Sequence, residues 1–296
     1  MNRKIGAHVS ASGGLFKAVE RANAIGANCA QIFSGSPRVW KRKDLSLFDT
    51  QKMFSKREEL GVNPIFTHSL YLVNLASDKP DLLRKSFDAL KYDLEFDSFI
   101  KGSGIIVHLG SHQGRGWEAM REQVANQIAE LIKATPEDST FLMENSAGQK
   151  GKLCSELSEI KWLFDKISEL LGVDGFGPGK SSRLGWCFDT CHGHAAGYSL
   201  GTEPRSLTGK LVVEEITELG LWDTLKCIHV NDSRDDFDSG RDRHANLGEG
   251  NIPKDDLKYF VNHKEVKKIP LLLEVPGADK KGPDAKNIKF LQDLCE

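Results

Sequence analysis

Six short apolar runs in this chain each end on a residue that can hold a metal ion. Residues 64–67 lead to His68, 104–107 to His108, 140–143 to Glu144, 184–188 to Asp189, 225–228 to His229 and 269–273 to Glu274. Two loops add His192, three residues after Asp189, and the pair Asp242 and His244 on either side of Arg243. Five of the chain's nine histidines fall in this set. A single histidine at such a place is more often a hydrogen-bonded structural residue, and a single acid a helix cap or salt-bridge partner. Nine coincidences at equivalent places are better explained by one shared cause, a metal site. Imidazole with carboxylate and no required thiolate favours zinc, with manganese or iron as alternatives. At three or four ligands per ion, nine residues fill two sites, or three if a carboxylate bridges and water completes the open positions. Four carboxylates against three divalent ions leave a local charge of about +2, which suits a phosphodiester and in-line displacement at phosphorus.

These ligands can meet only if the runs that carry them lie side by side. The runs at 64–67 through 269–273 follow two earlier ones at 5–9 and 29–33. Helical periodicity separates them at about 15–25, 48–60, 80–100, 117–134, 154–171, 207–219, 253–262 and 284–294. Continuous Ile, Leu, Val and Phe fit strands buried on both faces of a parallel sheet. Eight strand–helix units predict an α/β fold, a single-domain (β/α)8 TIM barrel over residues 1–296, with the metal site where the C-terminal strand ends meet. A doubly wound sheet is the alternative. No low-complexity segment or interdomain linker interrupts the chain, and 172–182 reads as a loop between helix and strand. His8 ends the first run and is placed behind the ligands. His112 and His194 are open to either reading, and His263 is expected to be solvent-exposed.

The totals exclude some classes. With 39% apolar and 28% charged residues the composition is that of a soluble globular protein, and no apolar run approaches a membrane span. The first residues lead straight into a strand candidate, so no signal peptide is expected. The expected compartment is intracellular, either the cytoplasm of a prokaryote or the nucleus or an organelle of a eukaryote. The net charge of −2 gives no electrostatic pointer to nucleic acid, but local positive field from bound metal can replace a basic composition. The six cysteines lack paired spacing and read as small buried hydrophobes. Cys191, between Asp189 and His192, is the one thiol placed to compete as a ligand.

The segments GAHVSASGG, SPRVW, YLVNLAS, HLGSH, MENSAGQ, FDTCH, HVND and GRDRHANLGEGNI, spread from residue 6 to residue 252, together resemble the endonuclease IV family of apurinic/apyrimidinic DNA endonucleases. The resemblance implies a barrel holding three zinc ions that cuts DNA 5′ to an abasic site, leaving a 3′-hydroxyl, and trims blocked 3′ ends. It implies one zinc on His68, His108 and Glu144, a second sharing Glu144 with Asp189, His229 and Glu274, and a third on His192, Asp242 and His244. The bridged pair would share a hydroxide nucleophile, so Glu144, Asp189 and Glu274 count as catalytic. The third ion would grip the phosphate, and Cys191 is then a packing residue. Manganese could replace zinc at some positions. Arg38, Tyr71 and Leu72 match positions that enter the DNA at the lesion. The partner implied is double-stranded DNA with abasic sites or blocked 3′ ends, bound by a monomer without a membrane.

The chain departs from the family pattern at Ser34-Gly35-Ser36, where a lysine is common ahead of Arg38, and at Ser69-Leu70, where a small or acidic residue followed by Ser is usual. Both places are expected to face DNA. The competing enzyme class is a metal-dependent sugar isomerase or epimerase on a similar barrel, which holds one or two ions with few histidines. A non-catalytic binder of damaged DNA would need a missing ligand, and none is missing.

Overall fold

The computed structural model of the protein describes residues 3–206 and 209–295. Each expected run is a strand: β1 (Ile5–His8), β2 (Cys29–Phe33), β3 (Ile65–His68), β4 (Ile105–Val107), β5 (Phe141–Glu144), β6 (Leu184–Asp189), β7 (Leu225–His229) and β8 (Leu271–Leu273). All neighbours are parallel, and β1 pairs with both β2 and β8, so the sheet closes into an eight-stranded barrel. That closure removes the doubly wound alternative.

Helices follow the strands as α1 (Leu15–Ala24), α2 (Thr50–Leu60), α3 (Pro80–Phe99), α4 (Trp117–Lys133), α5 (Leu157–Leu171), α6 (Thr190–Ala195), α7 (Val212–Glu218), α8 (Lys254–Asn262) and α9 (Ala285–Leu294). Local chemistry sets several of these ends. Pro80 opens α3 at a position where its missing N–H costs nothing, and Asp284 caps α9 through the backbone N–H groups of Lys286 and Asn287. Helix α5 starts three residues later than its periodicity suggests, because Cys154 sits in the left-handed region with φ of 62°. The helix expected at 207–219 is observed as α7, and its first expected residues, Leu207 and Thr208, lie outside the described residues. Among the described residues no helix is long and apolar enough to cross a membrane.

Strand periodicity of two divides the barrel interior into layers. Phe66, Ile106, Leu142, Cys187, Cys227, Leu272 and Cys29 form one buried apolar cluster inside the barrel. Two residues further along the same strands stand His68, His108, Glu144, Asp189, His229, Glu274 and Gln31. On β1 the matching pair is Gly6 and His8, and a Cβ on Gly6 would lie 2.2 Å from the Cys29 carbonyl oxygen. The apolar layer is thus a plug, and the ring of candidate ligands rests on it. The alternate residues, among them Ile65, Val107, Met143, Trp186 and Phe188, face outward into the larger core beneath the helices.

Candidate metal centre

Strand direction delivers the six strand-end residues to one face, and two loop devices bring the other three. Asp189 is both the last residue of β6 and the N-cap of α6, with Oδ1 accepting from the His192 backbone N–H at 3.0 Å. The three-residue spacing from Asp189 to His192 is therefore the N-cap geometry of a short helix in what the sequence reads as a loop. After β7, Asp232–Ser233 pairs antiparallel with His244–Ala245, which folds Asp242 and His244 back over the ring. Asp232 anchors this loop by accepting from the N–H groups of Gly248, Gly250 and Ile252 at 2.9, 3.1 and 3.0 Å. A Cβ on Gly250 would come within 2.4 Å of the Asp232 carboxylate, so only glycine fits there.

The nine residues fall into three groups whose donor atoms lie within 4.8 Å of one another: His68–His108–Glu144, Glu144–Asp189–His229–Glu274 and His192–Asp242–His244. Glu144 belongs to two of them. Its Oε2 faces His68 Nε2 at 3.4 Å and His108 Nε2 at 3.3 Å, and its Oε1 faces His229 Nδ1 at 3.0 Å. In the third group Asp242 Oδ1 lies 3.2 Å from His192 Nε2 and 3.5 Å from His244 Nε2. Cys191 forms a further triple with Asp189 and His244. Burial, reinforced by the Asp189 charge, raises its thiol far above the ordinary range and opposes the thiolate a metal needs.

A layer of amides that the sequence reading missed holds these groups. Gln31, fully buried on β2, donates to Glu274 Oε1 at 2.6 Å, and its Oε1 pairs with His229 Nε2 at 2.7 Å. Asn231 donates to Asp189 Oδ2 at 2.6 Å and accepts from the Glu274 N–H at 2.8 Å, while Asn145 Oδ1 accepts from the Asp189 N–H at 2.6 Å. The signal available was a polar residue inside an otherwise apolar strand, CAQIF, and an asparagine directly after a ligand or one residue on, in MEN and HVN. Nδ1 of His68 pairs with the Ser69 carbonyl at 2.7 Å, and Nδ1 of His192 with the Asn145 carbonyl at 2.9 Å. In each case the other nitrogen, Nε2, is left facing the carboxylates, the arrangement that orients metal-binding imidazoles.

Glu144 is fully buried, and burial pushes its carboxyl pKa up. The charges of His108 and His229 and a hydrogen bond from His229 outweigh this and hold it well below the usual carboxylate range. Burial likewise lowers His192, but Asp189 and Asp242 lift it to about 10. His108 is pushed down to about 4, chiefly by burial. No lysine or arginine pairs with Glu144, Asp189 or Glu274 among the described residues, and Glu144 Oε2, His108 Nδ1 and His244 Nε2 are buried without a hydrogen-bond partner. Buried carboxylates without fixed counter-cations, facing imidazole nitrogens, fit divalent cations of the zinc type.

The remaining histidines divide as follows. His8 stands level with Gln31 at the edge of the ring, its Nδ1 3.4 Å from Glu274 Oε1 and 2.8 Å from Gln31 Nε2. His112 accepts the N–H groups of Gly114 and Gly116 at 3.1 Å, and His194 packs edge-on against Phe237. His263 is not the exposed residue expected: it ends α8 and stacks on Trp222 at 5.2 Å.

Arg38, Tyr71 and Leu72 reach the rim. Arg38 is exposed, and Tyr71 and Leu72 are 57% and 36% exposed. The Tyr71 N–H donates to the Pro37 carbonyl at 3.1 Å, which ties the two loops together, and its ring stands edge-on to Phe33 and His68. Beside them a cavity of about 860 Å³ opens, lined by His8, Phe33, Tyr71, His244 and Glu274 among others. Of the segments expected to face DNA, Ser69 and Leu70 are instead buried, and Ser34 turns inward to donate to Asp93 at 2.6 Å. Only Gly35 and Ser36 remain exposed there.

The family model of the xylose isomerase-like TIM barrel matches residues 19–294. A probable endonuclease 4 of Halothermothrix orenii is 32% identical over 289 residues, covering 98% of this chain and 99% of its own length. The crystal structure of endonuclease IV from Thermus thermophilus superposes with a TM-score of 0.82 at 30% identity, covering 99% of this chain and 98% of that one. A D-tagatose 3-epimerase-like protein, at 17% identity and a TM-score of 0.68 over 98% of this chain and 96% of that one, shares the fold alone. Match and coverage together establish that the chain belongs to the endonuclease IV family of DNA-cleaving hydrolases, built on the xylose isomerase-like barrel.

Proposed function

We propose that this protein is a zinc-dependent endonuclease of DNA base excision repair, which hydrolyses the phosphodiester 5′ to an abasic site, leaves a 3′-hydroxyl and removes groups blocking 3′ ends. The observation that carries this reading is the sharing of buried Glu144 between two of three adjacent ligand groups. His68, His108 and Glu144 would hold one zinc, Glu144, Asp189, His229 and Glu274 a second, and His192, Asp242 and His244 a third. Manganese suits the same donors at some positions. Ions bound there would lower the pKa of a water and stabilise charge on both the attacking and leaving oxygens of an in-line displacement.

The chain's own residues do the positioning. Glu144, Asp189 and Glu274 are the catalytic carboxylates, and their charge gathers the cations at one point. The amides of Gln31 and Asn231 keep the Glu274 and Asp189 carboxylates from turning away, and Asn145 fixes the Asp189 backbone. At the rim Arg38, Tyr71 and Leu72 would enter the duplex at the lesion, where an aromatic, an aliphatic and a cationic side chain can fill the gap and replace lost stacking. An abasic nucleotide has no base to unstack, so it flips at low cost. The partner is double-stranded DNA with abasic sites or blocked 3′ ends, bound by a monomer inside the cell. A sugar isomerase or epimerase with one or two ions would have no use for the group His192–Asp242–His244.

The test is to incubate the protein with a duplex carrying one abasic analogue and define both new ends. A 3′-hydroxyl immediately 5′ of the analogue is expected. An intact duplex, or a cut on the 3′ side of a natural abasic site that leaves an unsaturated aldehyde at the new 3′ end, would contradict the proposal.

A further inference from the structure

Asp242 divides its carboxylate between two kinds of partner. Its Oδ1 faces His192 and His244, while its Oδ2 lies 3.2 Å from Lys152 Nζ. Among the described residues Lys152 is the one lysine or arginine paired with any of the nine candidate ligands. Its side chain is 33% exposed, so the ammonium keeps a solvent-facing side.

The backbone beneath it is built rather than loose. Ser111 bridges to Lys152 and donates from its hydroxyl to the Lys150 carbonyl at 2.7 Å. The His112 N–H reaches the Gly151 carbonyl at 2.9 Å, and the Leu153 N–H reaches the Gly110 carbonyl at 3.0 Å. Gly151 has φ of 72°, and a Cβ there would come within 2.4 Å of the His112 ring, so that locked contact requires glycine. The loops after β4 and β5 are thereby joined into one rigid platform. Beside it lies a recess of about 270 Å³ lined by Tyr71, His108, Ser146, Lys152 and Asp242 among others. Tyr71 lines both this recess and the larger cavity, and through His108 and Asp242 the recess borders the first and third ligand groups.

We infer that Lys152 is a DNA-binding residue, holding a backbone phosphodiester of the substrate in this recess; the inference rests on the nuclease reading above. A chain with net charge −2 has little diffuse positive field to offer DNA, so a cation fixed at the cleft has disproportionate weight. A lysine ammonium binds phosphate as a point charge, and it does not need the fork geometry of arginine. An ion held by His192, Asp242 and His244 would draw on the Asp242 charge that now faces Lys152, which leaves the ammonium free to turn to the phosphate.

The test measures the dissociation constant of the zinc-loaded protein for a duplex with a tetrahydrofuran abasic analogue and a phosphorothioate at the scissile position, across a range of KCl. Lys152→Gln should reduce the slope of log K against log salt by about 1, weakening binding roughly eightfold at 0.1 M salt, whereas Lys152→Arg should keep the wild-type slope. Zinc content should equal wild type in both variants. An unchanged slope in Lys152→Gln would overturn the inference. Zinc loss in Lys152→Gln would also overturn it, since the lysine would then act through Asp242. The wild-type salt slope is readable on any duplex, so failure of abasic-site incision would refute the nuclease proposal separately.

Discussion

Two layers of the barrel interior, two residues apart on the same strands, have opposite chemistry. The lower layer, Phe66, Ile106, Leu142, Cys187, Cys227, Leu272 and Cys29, is a sealed apolar plug. The upper one, His68, His108, Glu144, Asp189, His229, Glu274 and Gln31, is polar and stands on it. Both lie largely out of solvent, with only His108 and Glu274 of the upper layer partly exposed, so burial alone does not account for the difference. The difference lies in their polar atoms: the plug side chains are apolar or thiol, whereas the ring keeps buried atoms such as Glu144 Oε2 without a hydrogen-bond partner. One layer is built for stability and the other for a cation.

The largest effect should come from breaking the ring while leaving the plug alone. Glu144→Gln, or Asp189→Asn, is expected to cut abasic-site incision by roughly a thousandfold or more with little change in thermal unfolding. Near-normal incision by both variants would remove these carboxylates from the chemistry. The converse substitution is Leu142→Ala, directly beneath Glu144. It should cost about 2–5 kcal/mol in denaturant unfolding, through lost burial and the cavity left behind. A fully stable variant would mean the plug is not the foundation of the ring.

Smaller effects separate the rim and the outer wall from both layers. Tyr71→Ala should weaken binding to an abasic duplex about tenfold, the scale of one aromatic–base contact, with zinc content unchanged. Lost zinc with intact binding would make Tyr71 a structural brace of His68. The outer wall supplies a buried carboxylate with no imidazole near it. Asp97 on α3 accepts from the Thr67 hydroxyl at 2.7 Å and the Gly104 N–H at 2.9 Å, and burial raises its pKa from 3.8 to about 7. Glu144, equally buried among histidines, is displaced in the opposite direction. The folded protein therefore keeps a proton on Asp97 that the unfolded chain releases. Its contribution to stability is fully present below about pH 4 and is lost as pH rises through about 7. Asp97→Asn should flatten the pH dependence of unfolding across that window, and an unchanged profile would place the titration elsewhere.

Much of this was readable because a parallel barrel converts a one-dimensional pattern into a three-dimensional one. A run such as LGWCF ending on Asp189 already states that its last side chain emerges at the C-terminal face. What the pattern did not carry were contacts between distant positions. Gln31 and Glu274 are 243 residues apart, and nothing local in CAQIF says which carboxylate the amide will meet. Helix α6 was missed because six residues beginning TCHGH have no amphipathic period, and its start is set by the Asp189 cap. The DNA-facing assignment of Ser69 and Leu70 failed for a related reason. Adjacency to His68 and Tyr71 suggested exposure, but the chain dips into the core between them.

The central claim is that the upper layer is a three-ion zinc site bridged by Glu144. Its most direct test is anomalous scattering at the zinc edge from crystals of the purified protein, with metal content measured on the same sample. The account predicts three zinc ions per chain, two of them sharing Glu144 and one held by His192, Asp242 and His244. A single ion, or ions that leave Glu144 unbound, would contradict it.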